Sequence, residues 1–252
     1  MSWFRTYVRS SIGAKHLMAV TGLSLFVFAI VHMIGHLQMF GGQEMYNGYA
    51  QFLQDLWEVK WPARVLLLGL LIVHVVVAIG LVAKNRAARP VGYAMYKPVV
   101  SSPLGRAMAL TGGFVFAFLA FHILHFTLGQ VQPGHFHVMD PRNRWDAYSM
   151  FIYGFQNPVI YVVYLVGIAL LAMHLGHGAV SWLQSLGLRH PKYPFDGQSP
   201  ETGGGDSSAG EAGGKAPRGA NRLGAALAVG LFVGYMLPPT AVLVGLLKLP
   251  GS

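Results

Sequence analysis

Cysteine is absent from all 252 residues. Its absence excludes disulfides, covalent c-type haem attachment and cysteine-ligated iron–sulfur clusters or zinc, and leaves histidine, present 11 times, as the only strong metal ligand in quantity. Charge is scarce as well: Asp, Glu, Lys and Arg make up 11% of the chain, where a soluble domain carries about 25%. With 54% hydrophobic residues and a mean hydropathy of +0.48, the composition is that of a chain dissolved in lipid. Acidic residues are the rarer charges, 9 against 18 basic ones. A net charge of +9 can mark a nucleic-acid binder, but that reading requires basic residues clustered on a soluble face, and here they flank apolar segments. No nucleic-acid partner is expected.

What is present is a set of five long apolar segments, at about 17–40, 62–83, 107–129, 157–182 and 222–247, each reaching the ~20 residues that cross a bilayer as a helix. The pattern predicts an all-α membrane protein, one integral membrane domain over 1–252. The first segment follows Arg5, Arg9 and Lys15 as a signal peptide would, yet it is too long for an h-region and lacks a small-x-small cleavage site, so it reads as a retained span. Arg5, Arg9, Lys15, Lys84, Arg86, Arg89, Lys97, Arg106, Arg189, Lys192, Lys215, Arg218 and Arg222 fall on one side of this arrangement. Lys60, Arg64, Arg142, Arg144 and Lys248 fall on the other, mixed with acids. The positive-inside rule therefore predicts a cytoplasmic N-terminus and an outer C-terminus. Residues 197–221, containing "SPETGGGDSSAGEAGGKAPRGAN", have the composition of a flexible cytoplasmic linker. The last span carries no histidine, is expected to break at Pro238 and Pro239, and reads as a packing and anchoring helix.

An internal repeat locates candidate ligands. "TGLSLFVFAIVHMIGH" begins at Thr21 and "TGGFVFAFLAFHILH" at Thr111, and in each a histidine follows ten residues after the first Gly. At ~1.5 Å per residue, His32 and His122 are expected at nearly the same depth, towards the outer leaflet, where they can face each other. The second and fourth spans carry His74 in "LLIVHVVVAIG" and both His174 and His177 in "LLAMHLGHGAV". A second facing pair is available there, with His174 and His177 both open as the partner of His74. Polar residues inside a span are expensive and by default functional. Zinc is disfavoured, since a closed site needs its ligands at one level with cysteine or carboxylate help. Bis-histidine haem fits better, and the expected fold is a bundle of the first four helices holding two b-type haems. Gly22, Gly35, Gly69, Gly80, Gly112, Gly113, Gly176 and Gly178 suit helix packing and porphyrin clearance equally. Phe114, Phe116, Phe118 and Phe121 read as lipid-facing or core residues.

Taken together, Thr21-Gly22 through His32, His74 followed by "VAKN", Thr111-Gly112 through His122, and "HLGHG" followed by "WLQSLG" resemble the di-haem cytochrome b membrane subunit of succinate dehydrogenase and quinol:fumarate reductase, in its single-polypeptide, five-span version. The resemblance covers nearly all the chain except the linker. It implies His32 and His122 as axial ligands of an outer, distal haem b, and His74 and His174 of an inner, proximal one, choosing His174 over His177 through the His-x-x-x-Gly pattern. It further implies a bacterial cytoplasmic membrane, a flavoprotein partner with FAD that interconverts succinate and fumarate, an iron–sulfur partner, and a membrane quinone, usually menaquinone, reacting near the distal haem. The basic segment 84–106 suits partner docking or simply topogenic charge.

Glu58, four residues before Pro62, is the candidate for proton transfer to the quinone; Glu44 and Asp55 lie in the same loop. His36 is expected to be a polar neighbour of the distal haem or quinone. Lys15, His16 and Arg106 on the inner side, and Arg64 and Arg144 on the outer, are candidate propionate partners. One departure stands out: some family members carry a Glu two residues before the fourth-span ligand, credited with a compensating proton path, where this chain has Ala172. Two alternatives remain, a stand-alone bis-histidine haem reductase of the cytochrome b561 type and a histidine-based proton channel or transporter.

Overall fold

A computed structural model describes residues 3–88, 103–186 and 218–251. Most of the linker, together with Arg89, Lys97, Arg189, Lys192 and Lys215, lies outside the described residues. The described residues are 85% helical, without a strand. In chain order the helices are α1 (Trp3–Arg9), α2 (Ser11–Leu37), α3 (Gly42–Asp55), α4 (Trp57–Ala87), α5 (Pro103–His122), α6 (Ala147–Gln156), α7 (Pro158–Ser185) and α8 (Arg218–Leu243). Short 3-10 turns occupy Gln38–Gly41 and Pro133–His135, and a π-helical segment, Ile123–Thr127, extends α5.

Five helices are long and apolar enough to cross a membrane, as their uninterrupted Leu, Val, Ala and Phe runs predict. A helix satisfies every interior backbone donor and acceptor within itself, which hydrocarbon demands. The protein thus has the architecture of a multi-pass membrane protein in contact with lipid. α4 makes the point in the extreme: over 31 residues none is buried, and Val65, Leu66, Ile72 and Val76 are exposed apolar side chains.

Three local outcomes differ from the sequence reading. The polar stretch after the first span is a helix, α3, with Tyr46 and Asn47 on its buried face; its charges line an amphipathic surface, and are not loop residues. The last span does not break: α8 runs through Pro238 and Pro239 to Leu243. Proline is tolerated in membrane helices where neighbours reoccupy the freed backbone groups, and Pro238 is fully buried here. The third span leaves α-geometry at His122, within the expected 107–129 segment.

The described residues group into two compact units, one drawn from Met1–Phe26, Leu70–Ala109 and Met173–Ala228, the other from Val27–Gly69, Leu110–Ala172 and Val229–Ser252. In the first, α7 and α8 approach at Gly176 and Gly224. A Cβ on Gly176 would overlap the Gly224 carbonyl oxygen, and one on Gly224 would lie 2.8 Å from the Gly176 oxygen, so only glycine permits this contact.

The second unit holds a contiguous core of Met39, Tyr46, Phe151, Ile152, Phe155, Tyr164, Ile168, Met236 and neighbours. α6 contributes Tyr148, Phe151, Ile152 and Phe155, an i, i+3, i+4, i+7 stripe that is one helical face. Asp146 caps α6 by accepting from the Ser149 amide at 3.0 Å, and Asn157 Oδ1 accepts from the Val159 amide at 2.9 Å ahead of α7. A polar clip joins α3 to the segment before α6. Asn47, fully buried, donates to Asp140 (3.2 Å) and Asp146 (2.9 Å) and accepts from the Tyr148 amide (2.9 Å). Arg144 bridges Asp140 (2.7 Å) and Glu44 (2.9 Å).

Burial alone would raise the Asp140 carboxyl, but hydrogen bonds from Arg144, Asn47 and the Arg142 amide hold it down to about 2. A carboxyl depressed on folding contributes stability above its unfolded value and loses it as pH falls towards the folded one. Acidification from pH ~4 to ~2 is therefore expected to loosen the clip, read as faster amide hydrogen exchange at 140–148. Asn47→Ala, which orphans several buried groups, is expected to cost on the order of 2–3 kcal/mol, read as a lower melting temperature in detergent.

Candidate functional site

The second unit brings His32 of α2 and His122 of α5 together with ring centroids 5.9 Å apart and planes at 80°. This is the pair the Thr-Gly repeat predicts. His36, one turn after His32, places its Nε2 3.3 Å from His32 Nε2 and its Nδ1 2.9 Å from the Tyr46 hydroxyl. It packs against Phe151. Tyr235 of α8 stands beside the pair, 6.3 Å from the His32 ring, its hydroxyl donating to the Ala29 carbonyl oxygen at 2.5 Å. A half-buried imidazole pair thus sits among aromatic rings, with His36 and the Tyr164 hydroxyl as its polar neighbours.

The first unit holds His74 of α4 within electrostatic range of His174 of α7, which also senses His177. The environment of His74 specifies its tautomer. Thr21 Oγ1 donates its one proton to the Leu17 carbonyl oxygen at 2.7 Å, so towards His74 Nδ1, 3.0 Å away, it can only accept. His74 therefore carries its proton on Nδ1, leaving the Nε2 lone pair free for a metal, the usual arrangement of a ligand held from behind by an acceptor. Gly22 makes this possible: a Cβ there would come within 3.1 Å of His74 Cε1. The Thr-Gly that marks the first span is thus the seat of a histidine from another helix.

Other sequence candidates fall as follows. His16 contacts the Tyr7 hydroxyl through Nδ1. Arg106 is exposed at the start of α5, and Lys15 lies in α2. Glu58 is exposed in the first turn of α4. Arg64 lies 5.3 Å over the Trp61 ring, and Arg144 has all three guanidinium nitrogens engaged by Asp140 and Glu44. Ala172 is buried. Sequence reasoning missed His125 and Tyr164. His125 is buried and hydrogen-bonds Tyr164 and Gln132; the "HILH" spacing was its only signal, and Tyr164 had none.

Among the described residues no three His, Asp or Glu groups converge into a metal site. The donor set is pairwise, two imidazoles from two helices, which suits a macrocycle with two axial positions and not a tetrahedral ion. Among the described residues one buried donor is also unclaimed: Trp182 Nε1, two turns after His174 on α7, has no hydrogen-bond partner there. A haem with its anionic edge groups is compatible with these residues.

Thr21→Val, which keeps shape but removes the acceptor, is expected to abolish the fixed Nδ1–H form of His74, and Thr21→Ser to retain it. Nitrogen chemical shifts of labelled histidine in the detergent-solubilised chain check this, one ring changing between the two variants. No family model, curated protein or solved structure matches the chain.

Proposed function

We propose that this chain is the membrane-anchoring di-haem cytochrome b subunit of a succinate:quinone oxidoreductase in a bacterial cytoplasmic membrane. It would pass electrons between an iron–sulfur subunit and a membrane quinone, menaquinone. The observation that carries the reading is the pairing of His32 with His122 across two long apolar helices, with His74 within electrostatic range of His174 on two others. Four imidazoles in spans have no simpler account than ligation.

In this reading His32 and His122 hold one haem b and His74 and His174 the other, with His36 a polar neighbour. Haem, when bound, supplies one-electron carriage. The chain's own residues do the rest. Thr21 fixes the His74 ring, Trp182 offers an N–H to an anionic edge group, and exposed α4 meets lipid. Quinone has a candidate seat in the second unit, a cavity of about 140 Å³ whose lining includes Phe126, Phe136, Trp145, Gln51, Gln54 and Arg64. Flat aromatic walls and amide and guanidinium donors are what a quinone ring and its two oxygens require. Glu58 does not line this cavity; exposed to solvent, it is assigned to proton exchange with bulk water. Succinate chemistry belongs to a flavoprotein partner with FAD, and the basic residues Lys84, Arg86 and Arg106 belong to the side assigned to partner docking, with the N-terminus cytoplasmic.

The test is reduced-minus-oxidised spectroscopy with haem quantitation on the purified chain. Two low-spin haems per chain are expected. His32→Ala or His122→Ala should each remove one of them and His74→Ala or His174→Ala the other, while His36→Ala and His177→Ala keep both. Co-purification of flavoprotein and iron–sulfur subunits is expected; two haems without those partners would favour a stand-alone reductase, and no haem at all a proton pathway.

A further inference from the structure

We propose that Tyr164 is a positioning residue for His122: its hydroxyl, given a direction by His125 and Gln132, holds the His122 ring in the Nδ1–H form, and so lowers the reduction potential of the haem bound there. The inference rests on the haem reading for its second half only.

The chain of hydrogen bonds starts at the one group that cannot reverse. Gln132 Oε1 is a pure acceptor, and its orientation is set because Gln132 Nε2 reaches the Tyr153 carbonyl oxygen at 3.5 Å. His125 Nε2, 3.1 Å from Oε1, must therefore carry the proton. In a neutral ring that leaves His125 Nδ1 an acceptor. Its neighbour at 3.1 Å is the Tyr164 hydroxyl, which must donate to it. The single phenolic proton being used, Tyr164 can only accept from His122 Nδ1 at 3.2 Å. His122 is thus protonated on Nδ1, with its Nε2 lone pair available. The opposite polarity, Tyr164 donating to His122, would place the proton on Nε2 and block ligation.

The elements make this direction rigid. His125 lies in the π-helical segment, its ring 4.0 Å from that of Phe126. Gly154 of α6 lets the backbone approach the same ring, a Cβ there lying 3.2 Å from His125 Cε1. Tyr164 and His125 are each 4% exposed, so water does not compete for these bonds. An acceptor behind a ligating imidazole increases its electron donation to iron and stabilises the oxidised state. His74 is served instead by the Thr21 hydroxyl, so the two sites are tuned by different groups.

Two measurements on the full chain test the proposal. In the haem-free chain in detergent, nitrogen shifts should show His122 protonated on Nδ1, and Tyr164→Phe, which removes only the hydroxyl, should release it. In the haem-loaded chain, optical redox titration of Tyr164→Phe should move one midpoint potential upward and leave the other, the one lost in His74→Ala, unchanged. Should Tyr164→Phe fail to assemble, Gln132→Leu, which removes the fixed acceptor, should move the same component in the same direction. Unchanged His122 shifts, or unchanged potentials with both haems bound, would overturn the proposal. A chain that binds no haem yet shows the tyrosine-dependent His122 tautomer would overturn the haem reading while leaving the positioning role intact.

Discussion

A neutral imidazole in hydrocarbon has one nitrogen that must donate and one that must accept, and a helix offers it neither, because the backbone groups are already paired. The arrangement of the histidines follows from this constraint. Thr21 takes the proton of His74, and Tyr164 takes that of His122. In each case one nitrogen is satisfied by protein and the other is left for a partner from a different helix. The satisfied nitrogen fixes the free one in direction and protonation, so a polar group that would otherwise be a liability becomes a ready ligand.

Bringing rings from separate helices together requires close backbone approach, and glycine supplies it at Gly22 beneath His74 and at Gly176 against Gly224. The second unit adds a different device, a network of charges and amides. Asn47, Asp140, Asp146, Arg144 and Glu44 tie α3 to the segment leading into α6. That network holds the helices carrying Tyr46 and Phe151, the residues against which His36 packs. The polar clip and the apolar core are thus continuous, and the geometry around the His32 and His122 pair depends on both.

The proposed function unites these features. A membrane anchor that carries electrons needs cofactors out of water, ligands from more than one helix, and an apolar surface towards lipid. The paired histidines, the aromatic surroundings and the fully exposed face of α4 meet those needs with few charges. In this reading, different second partners, a threonine in one unit and a tyrosine in the other, would set the two haem potentials independently.

Much of this was legible in the chain because lipid makes composition decisive: five apolar runs become five helices whatever their detail, and histidines within them stand out. The repeat from Thr21 and Thr111 placed His32 opposite His122 because a regular rise per residue converts spacing into depth. Depth carries no information about rotation or about neighbours on other helices. The tautomer-setting contacts of Thr21 and Tyr164, the helix in the polar segment 42–55 and the π-helical segment after His122 are therefore products of tertiary packing. The sequence by itself determined which segments form helices long and apolar enough to cross a membrane; only the folded structure decided which nitrogen of His74 and of His122 is held and which is left free, since that depends on atoms contributed by distant parts of the chain.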